Sequence, residues 1–439
     1  MKKYHIILYV WCSIFAIGQE KISLEESIAI GLKQNFDILI TKSEYDISTI
    51  NNKWGNAGAL PQINLSSRIE KNVSDQTNNP TSFIQELLKS DVINAGANIN
   101  WTLFNGFAIR ANKERLEQLQ NLSENNLTLI IENNVQSIIL SYYNCVIQKE
   151  REKLLQEIVN LSKERIIYEQ TRNEIGISSK MEFLQMKNAL LTDSSNLLIQ
   201  KTNYINAVKN FNMLLSVDIE KEWIFTSDIK HDFKLYKFED LLKQSLSNNT
   251  NIQNQYINIK LSEQDIILAK SSKYPMISFN SGLSYNQNNY DIGDANIEYT
   301  GSTTGRSLNY FTNLSMSLRI FNGGQVYNRI REMKIRSETN EIRLKKAKQE
   351  ISYELSKTLQ EYNNNIVLYN INKEAFDISK RNYELASDKK NRGIINSFTL
   401  RDIEIIYISS GINYLQSSYN LLERNMNLLR ISGGILQER

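Results

Sequence analysis

The side chains of this chain that could do chemistry are few and scattered. His231 stands in a stretch with no cysteine or second histidine nearby, so nothing there has metal-ligand spacing. No Gly-rich phosphate loop, HExxH or GxSxG pattern occurs. Gly301 to Gly305 reads Gly-Ser-Thr-Thr-Gly but lacks the lysine that would reach a phosphate. Carboxylates are plentiful, yet they are spread along helical stretches, where a solvated face is the default. The pattern points away from an enzyme and implies no cofactor and no metal.

Residues 1–18 read as a secretory signal: Lys2 and Lys3, an apolar run from Tyr4 to Ile17, and a small-residue cleavage site at Ala16-Ile17-Gly18. The run is shorter than the roughly 20 residues a membrane helix needs. Without these residues, 49 basic side chains stand against 48 acidic ones. A balance so close to neutral argues against nucleic acid as a partner. Cys145 is then the only cysteine, which rules out an intrachain disulfide and reads as a packing residue. The chain has only three prolines, Pro61, Pro80 and Pro275, so few breakers predict very long helices.

The elements are written twice. AGALPQINLSS at Ala57–Ser67 answers SSKYPMISFNS at Ser271–Ser281, with Pro61 and Pro275 214 positions apart. WTLFNG at Trp101–Gly106 answers LRIFNG at Leu318–Gly323, and the glycine of IGISSK (Gly176) answers that of RGIINS (Gly393). One unit built two times is the implication. The expected organisation is a signal at 1–18, a first repeat at 19–215, a linker at 216–237 that packs irregularly, and a second repeat at 238–439.

Each repeat predicts a short helix (24–35, 238–249) and a second helix (36–57, 252–272) stopped by its proline. Two strands follow, then a helix of nearly seventy residues (107–174, 324–392), a glycine turn and a return helix (180–216, 396–432). Strands are expected at 63–71, 95–104, 277–286 and 310–321, each about ten residues long, as a tilted membrane strand requires. Ile63, Leu65, Trp101, Phe279 and Leu318 fall on one face, and Asn64, Asn100, Asn280 and Arg319 on the other. A soluble sheet with one buried face alternates in the same way. The signal and the uniform length favour a membrane barrel with a wet lumen. Four strands cannot close a barrel, for which about eight is the minimum. The connections at 72–94 and 287–309 are long and polar, as extracellular loops are. Along 107–174, Leu116, Leu119, Leu127, Ile131, Val135, Ile138, Tyr142 and Cys145 form a coiled-coil seam.

Taken together, the junctions at Pro61 and Pro275, the Phe-Asn-Gly junctions (Phe104, Gly106; Phe321, Gly323) and the two glycine turns resemble the TolC-type outer-membrane efflux family over essentially the whole mature chain. The resemblance implies an α+β membrane protein: a homotrimer with a long α-helical coiled-coil tunnel and a shared transmembrane β-barrel, four strands per chain. It implies an outer-membrane exit duct for a tripartite pump or a type I secretion system, passive toward its cargo. The partners would be outer-membrane lipid, a periplasmic adaptor and an inner-membrane RND, ABC or MFS transporter. The tips Gly176, Ile177, Ser178 and Gly393, Ile394, Ile395 would dock the adaptor. Glu182 and Asp402 would stand at the tunnel constriction, with Thr399 in place of another family acid. Lys390 and Ile395 replace a Tyr and Arg that latch the tip in some members. Asn35-Phe36 and Asn249-Thr250 replace the family's Asn-Pro. The competing reading is a non-transporting periplasmic or surface coiled-coil scaffold.

Overall fold

The computed structural model describes residues 20–83, 85–229, 234–292 and 301–436. The signal at 1–18, His231 and the middle of the second long connection lie outside the described residues. The chain divides into two compact units that cut across the sequence copies. One gathers Met1–Lys42, Leu127–Thr250 and Lys348–Arg439; the other gathers Ser43–Asn126 and Asn251–Ala347.

The duplication is visible in element lengths. Helices α3 (Ala108–Glu174) and α7 (Gln325–Asn391) are both 67 residues long, and α4 (Lys180–Leu215) and α8 (Ser397–Ser432) are both 36. Helix α1 (Leu24–Gln34) meets α2 (Phe36–Asn51) at Asn35, and α5 (Phe238–Asn248) meets α6 (Thr250–Ser271) at Asn249. These asparagines do matching work. Asn35 Nδ2 donates to the Leu214 carbonyl at 2.8 Å, and Asn249 Nδ2 to the Ile431 carbonyl at 3.0 Å. Each joins the start of its repeat to the end of that repeat's return helix. Asn35 Oδ1 also accepts from the Asp37 and Ile38 amides, capping α2.

In the first unit the expected seam on α3 is the core. Val135, Ile138, Tyr142 and Cys145 are buried in one cluster with Phe211 and Leu215 of α4. Burial pushes the Cys145 thiol well above its ordinary pKa, as befits a packing residue. The described part of the linker at 216–237 is more ordered than expected. Strand β4 (Trp223–Phe225) pairs in parallel with β1 (Glu20–Ile22), and Trp223 joins the same core. Strands of three residues carry too little periodicity to be read in sequence. The Tyr142 hydroxyl ties them to α3: it donates to the Ile22 carbonyl at 3.1 Å and accepts from the Thr226 and Ser227 amides at 3.1 and 2.9 Å. Between α7 and α8, Tyr383, Tyr407, Phe376, Tyr414 and Tyr369 interleave at centroid distances of 5.2–5.7 Å. Tyr369, Phe376 and Tyr383 stand seven residues apart, a heptad signal the sequence reading missed.

The second unit holds one antiparallel sheet in the order β2 (Gln62–Asp75), β3 (Leu87–Asn105), β5 (Met276–Ile292), β6 (Gly301–Ser317). Its strands, of 14, 19, 17 and 17 residues, are longer than the ten expected. They run into both predicted loops, because polar residues such as Lys71 and Asp91 pair across the ladder as readily as apolar ones. The fourth strand stops at Ser317 instead of 321: its partner β5 begins at Met276, which leaves Leu318 to Phe321 with no backbone to pair. Helix α2 ends at Asn51, not 57. The Asn56 side chain takes the Ile50 and Asn51 carbonyls ten residues before Pro61, so this proline does not stop its helix. A bulge between Thr102 and Phe104 breaks the alternation in β3 and brings Phe104 opposite Ile277.

The register sets one apolar face. It runs from Ile277 to Tyr285 on β5, from Met316 to Leu308 on β6, and through Leu65, Ile99 and Trp101 on the other two strands. Eight residues of strand span roughly 27 Å, the scale of the ~25 Å apolar band of outer-membrane barrels. Beyond it the same face turns polar, with Lys71 3.8 Å from Asp91. Among the described residues no helix is long and apolar enough to cross a membrane.

Tyr142→Phe removes a hydroxyl bonded to three backbone groups. The Thr226 amide and the Ile22 carbonyl keep their own bond at 3.1 Å, so the Ser227 amide is the group that loses its partner. It should cost about 1–3 kcal/mol through that unpaired amide, read as a lower unfolding midpoint in detergent. An unchanged midpoint would show that water replaces the hydroxyl.

Candidate functional site

The two hairpin tips, both in the first unit, are built by the same backbone device. A helix ends on a glycine in the left-handed region, Gly176 at φ +77° and Gly393 at φ +75°, which a side chain would strain. The Ile177 amide reaches back to the Arg172 carbonyl and the Ile394 amide to the Lys389 carbonyl, each at 2.8–2.9 Å. The return helices then start with different caps. Ser179 and Glu182 form a reciprocal capping box, whereas Asn396 Oδ1 accepts from the amide and hydroxyl of Thr399. Thr399 and Glu182 occupy the same turn position. The missing acid at 399 is therefore a change of cap chemistry at a helix start.

Glu182 is committed to this cap. Its Oε2 accepts from the Ser179 amide at 3.0 Å and lies 2.9 Å from Ser178 Oγ. The backbone bond from Ser179 and the bond from Ser178 hold its carboxyl below the usual range. Asp402, one turn farther along α8, is exposed and has no ion pair or hydrogen bond among the described residues. At the outer surface Ile175, Ile177 and Ile394 are exposed, while Ile395 packs inward against the Tyr383 and Tyr407 cluster. Of the junction residues, Gly106 (φ +67°) sits against the Ser271 carbonyl, where any Cβ would clash at 2.3 Å; Gly323 (φ +65°) meets nothing within 4 Å. Phe104 packs edge-on to Phe107, whereas Phe321 is exposed. Pro61 is exposed and Pro275 half-buried.

Behind the tips lie buried charges that were read as solvated helix faces. Glu169 of α3 is reached by Lys390 of α7 at 3.4 Å, by the hydroxyls of Ser397 and Ser178, and by Arg172 at 3.7 Å. Lys390 is thereby turned inward. The Tyr168 ring lies 5.5 Å from Lys390 and 5.6 Å from Arg172. Burial raises the Glu169 pKa, but the bonds from Ser397 and Ser178 and the charge of Lys390 overcome it and leave the carboxyl below its ordinary value. One turn earlier, Arg165 forks onto Glu404 at 2.6 and 2.9 Å, and Arg401 onto Asp193 at 2.6 and 2.8 Å. Arg401 also reaches Glu404, and Ser162 donates to Asp193. This second layer ties α3 and α4 to α8. The signal was present as charges at three- and four-residue steps (Arg165, Glu169, Arg172; Arg401, Glu404), but sequence does not say which face of a helix is covered.

The model of the outer membrane efflux protein family matches residues 32–215 and 241–434. The chain belongs to that family. As an outer membrane efflux protein it is an exit duct of the outer membrane. Solved structures agree in fold. The CmeC outer membrane channel of Campylobacter jejuni superimposes with a TM-score of 0.76 at 16% identity, over 94% of this chain and 85% of that one. A membrane protein from Pseudomonas aeruginosa gives 0.73 at 14%, over 93% of each chain. The outer membrane protein VceC of Vibrio cholerae gives 0.71 at 11%, over 94% and 96%. Among curated proteins no sequence relative matches the chain.

The lowered carboxyls give this efflux protein a pH-dependent tip. Their contribution is complete above their ordinary value of 4.5 and is lost as pH falls through the lower folded values. Hydrogen exchange around 169–182 and 390–399 should therefore be slow at neutral pH and faster at pH 3, before the four-stranded sheet changes. Equal exchange at both values would mean that the carboxyls do not hold the tips.

Proposed function

We propose that three copies of this chain close one twelve-stranded barrel whose lumen continues into a periplasmic helical tunnel. The duct passes cargo delivered by an inner-membrane RND, ABC or MFS transporter through a periplasmic adaptor. The observation that carries this reading is the four-stranded sheet, both edges of which are open among the described residues. Strand directions alternate from β2 to β6. A second copy's β2 beside β6 therefore continues the antiparallel pattern, and an even number of strands closes it. A single sheet left open in hydrocarbon would leave a row of backbone groups unpaired at each edge, at several kcal/mol per group. The scaffold reading gives no account of an apolar face of membrane height. No catalytic role is assigned, and the family is one of transport channels.

In this reading the exposed Ile177 and Ile394, with Gly176, Ser178, Gly393 and Ile395 shaping the turns around them, offer the adaptor two apolar knobs per protomer. Asp402, with no ion pair of its own, supplies a ring of three carboxylates at the tunnel mouth, and the capped Glu182 adds a weaker field beside it.

Mass measurement in detergent should give three copies. Arg at Phe279 faces lipid and should cost about 2–4 kcal/mol near the midplane, so it should lower assembly far more than Arg at Asn280. A detergent-free monomer, or equal effects at the two positions, would sink the barrel. Asp402→Asn should reduce cation selectivity in planar bilayers and relieve block by divalent cations, with the difference shrinking in high salt. Unchanged selectivity in an assembled trimer would make Asp402 an ordinary solvated carboxylate.

A further inference from the structure

The polar face of the sheet holds a chemistry that the duct reading does not require. In register, Gln62, Asn100, Asn280 and Asn313 stand side by side in one row across β2, β3, β5 and β6. Asn280 Nδ2 donates to Asn313 Oδ1 at 3.1 Å. The adjacent row sets Asn64 beside Asn98, then Gly282, then Phe311. The Phe311 ring lies over Gly282, with ring carbons 3.0 Å from where a Cβ would stand. A ring in that place shields the strand glycine, yet Phe311 is still 43% exposed, so part of its surface is free. Charge is nearly missing from this face. Among the described residues of the four strands it holds only Arg68 and Glu70, which pair with each other at 2.9 Å.

A wet lumen needs polarity alone, and serine or threonine would supply it. Asparagine is disfavoured in strands, so a full row of carboxamides runs against local preference. The chain's general wealth of asparagine does not explain it, because the opposite pleat at the same level carries Ile63, Ile99, Trp101, Phe279 and Leu314. Each carboxamide offers two donors and an acceptor oxygen without net charge. Neighbouring strands are about 4.8 Å apart, so the four groups form an arc of about 15 Å. Amides beside an open aromatic face match a solute with hydroxyls on its rim and C–H groups on its flat side. The surface has no net charge to draw ions by long-range attraction.

We propose that this row, with Phe311, is a binding collar for uncharged, hydroxyl-rich solutes, a linear oligosaccharide being the simplest case. The inference rests on the reading that this face lines the lumen of a closed trimer, where the arc is repeated three times around the passage.

The test uses the full-length protein reconstituted in planar bilayers, with maltohexaose added on the barrel side. Maltohexaose should interrupt the ionic current transiently. N280A/N313A should raise the half-blocking concentration about tenfold, as loss of one or two net hydrogen bonds would. F311A should shorten each interruption. N280D/N313D should shift the reversal potential toward cations, which reports that the row meets the permeating ions. Channels that conduct but are never interrupted by maltohexaose, or whose half-blocking concentration is the same in N280A/N313A, overturn the collar and leave the duct intact. A stable oligomer that carries no current overturns the duct reading, and the collar with it.

Discussion

Inside a bilayer the backbone has no water to turn to, and every N–H and C=O must find a partner in protein. In the proposed barrel the sheet meets that constraint at its two inner strands and, among the described residues, leaves one edge open on β2 and one on β6. Much else follows from it. β3 holds its last residues, through Asn105, because β5 lies beside it. β6, the matching strand of the second copy, stops at Ser317 for want of a neighbour. The upper ladder continues past the apolar band because backbone pairing is indifferent to side-chain polarity. The alternation of faces then sorts the same strands into one face of Leu, Ile, Phe and Trp and an opposite one of Asn and Ser.

The helical end is governed by a different balance. A long helix with aliphatic and aromatic seams can slide by a turn and find nearly equivalent packing. Arg165, Glu404, Arg401 and Asp193 remove that freedom. Their forked pairs accept one register only, and a slip would leave buried charge without a partner, at roughly 3–5 kcal/mol for each broken pair. Replacement of the whole set by apolar side chains would cost far less, or nothing. The buried charges are therefore best understood as specifying how α3, α4 and α8 align near the tips. Glu169 extends the alignment to α7 through Lys390.

The order of elements, the long helices, both glycine turns and the sidedness of most strand residues were legible in sequence, because each is a local property repeated twice. Leu318 and Arg319, expected on opposite faces of the last strand, lie past its end at Ser317. Gly176 and Gly393 need positive φ whatever surrounds them. What failed to show depends on neighbours distant in sequence. Asp75 and Leu87 are strand ends because they face each other across the ladder, and no period-two run announces them. Leu103 lies at a bulge that only β5 defines. Glu169 and Glu404 look like any helix carboxylate until α7 and α8 cover them. The site residues divide the same way. The tips were placed by their glycines, but Glu182's engagement in a cap was not seen, although Ser179 three residues before it is the usual signature of one.

The two copies have kept their lengths and lost their equivalence, and the reason is positional. The long helices are 67 residues in both copies and the return helices 36 in both. Within the sheet, however, the first copy supplies edge β2 and inner β3, and the second supplies inner β5 and edge β6. Gly106 follows an inner strand and is wedged against Ser271 and Tyr274, while Gly323 follows an edge strand and touches nothing. The same split appears in the other unit. α3 and α4 enclose β1 and β4 around Tyr142, while α7 and α8 zip together with stacked rings. A repeat that meets its own copy on one side and open surface on the other cannot stay symmetric, since each side selects different residues. In the proposed trimer the open sides, at β2 and β6, are where a neighbouring copy supplies what the chain lacks.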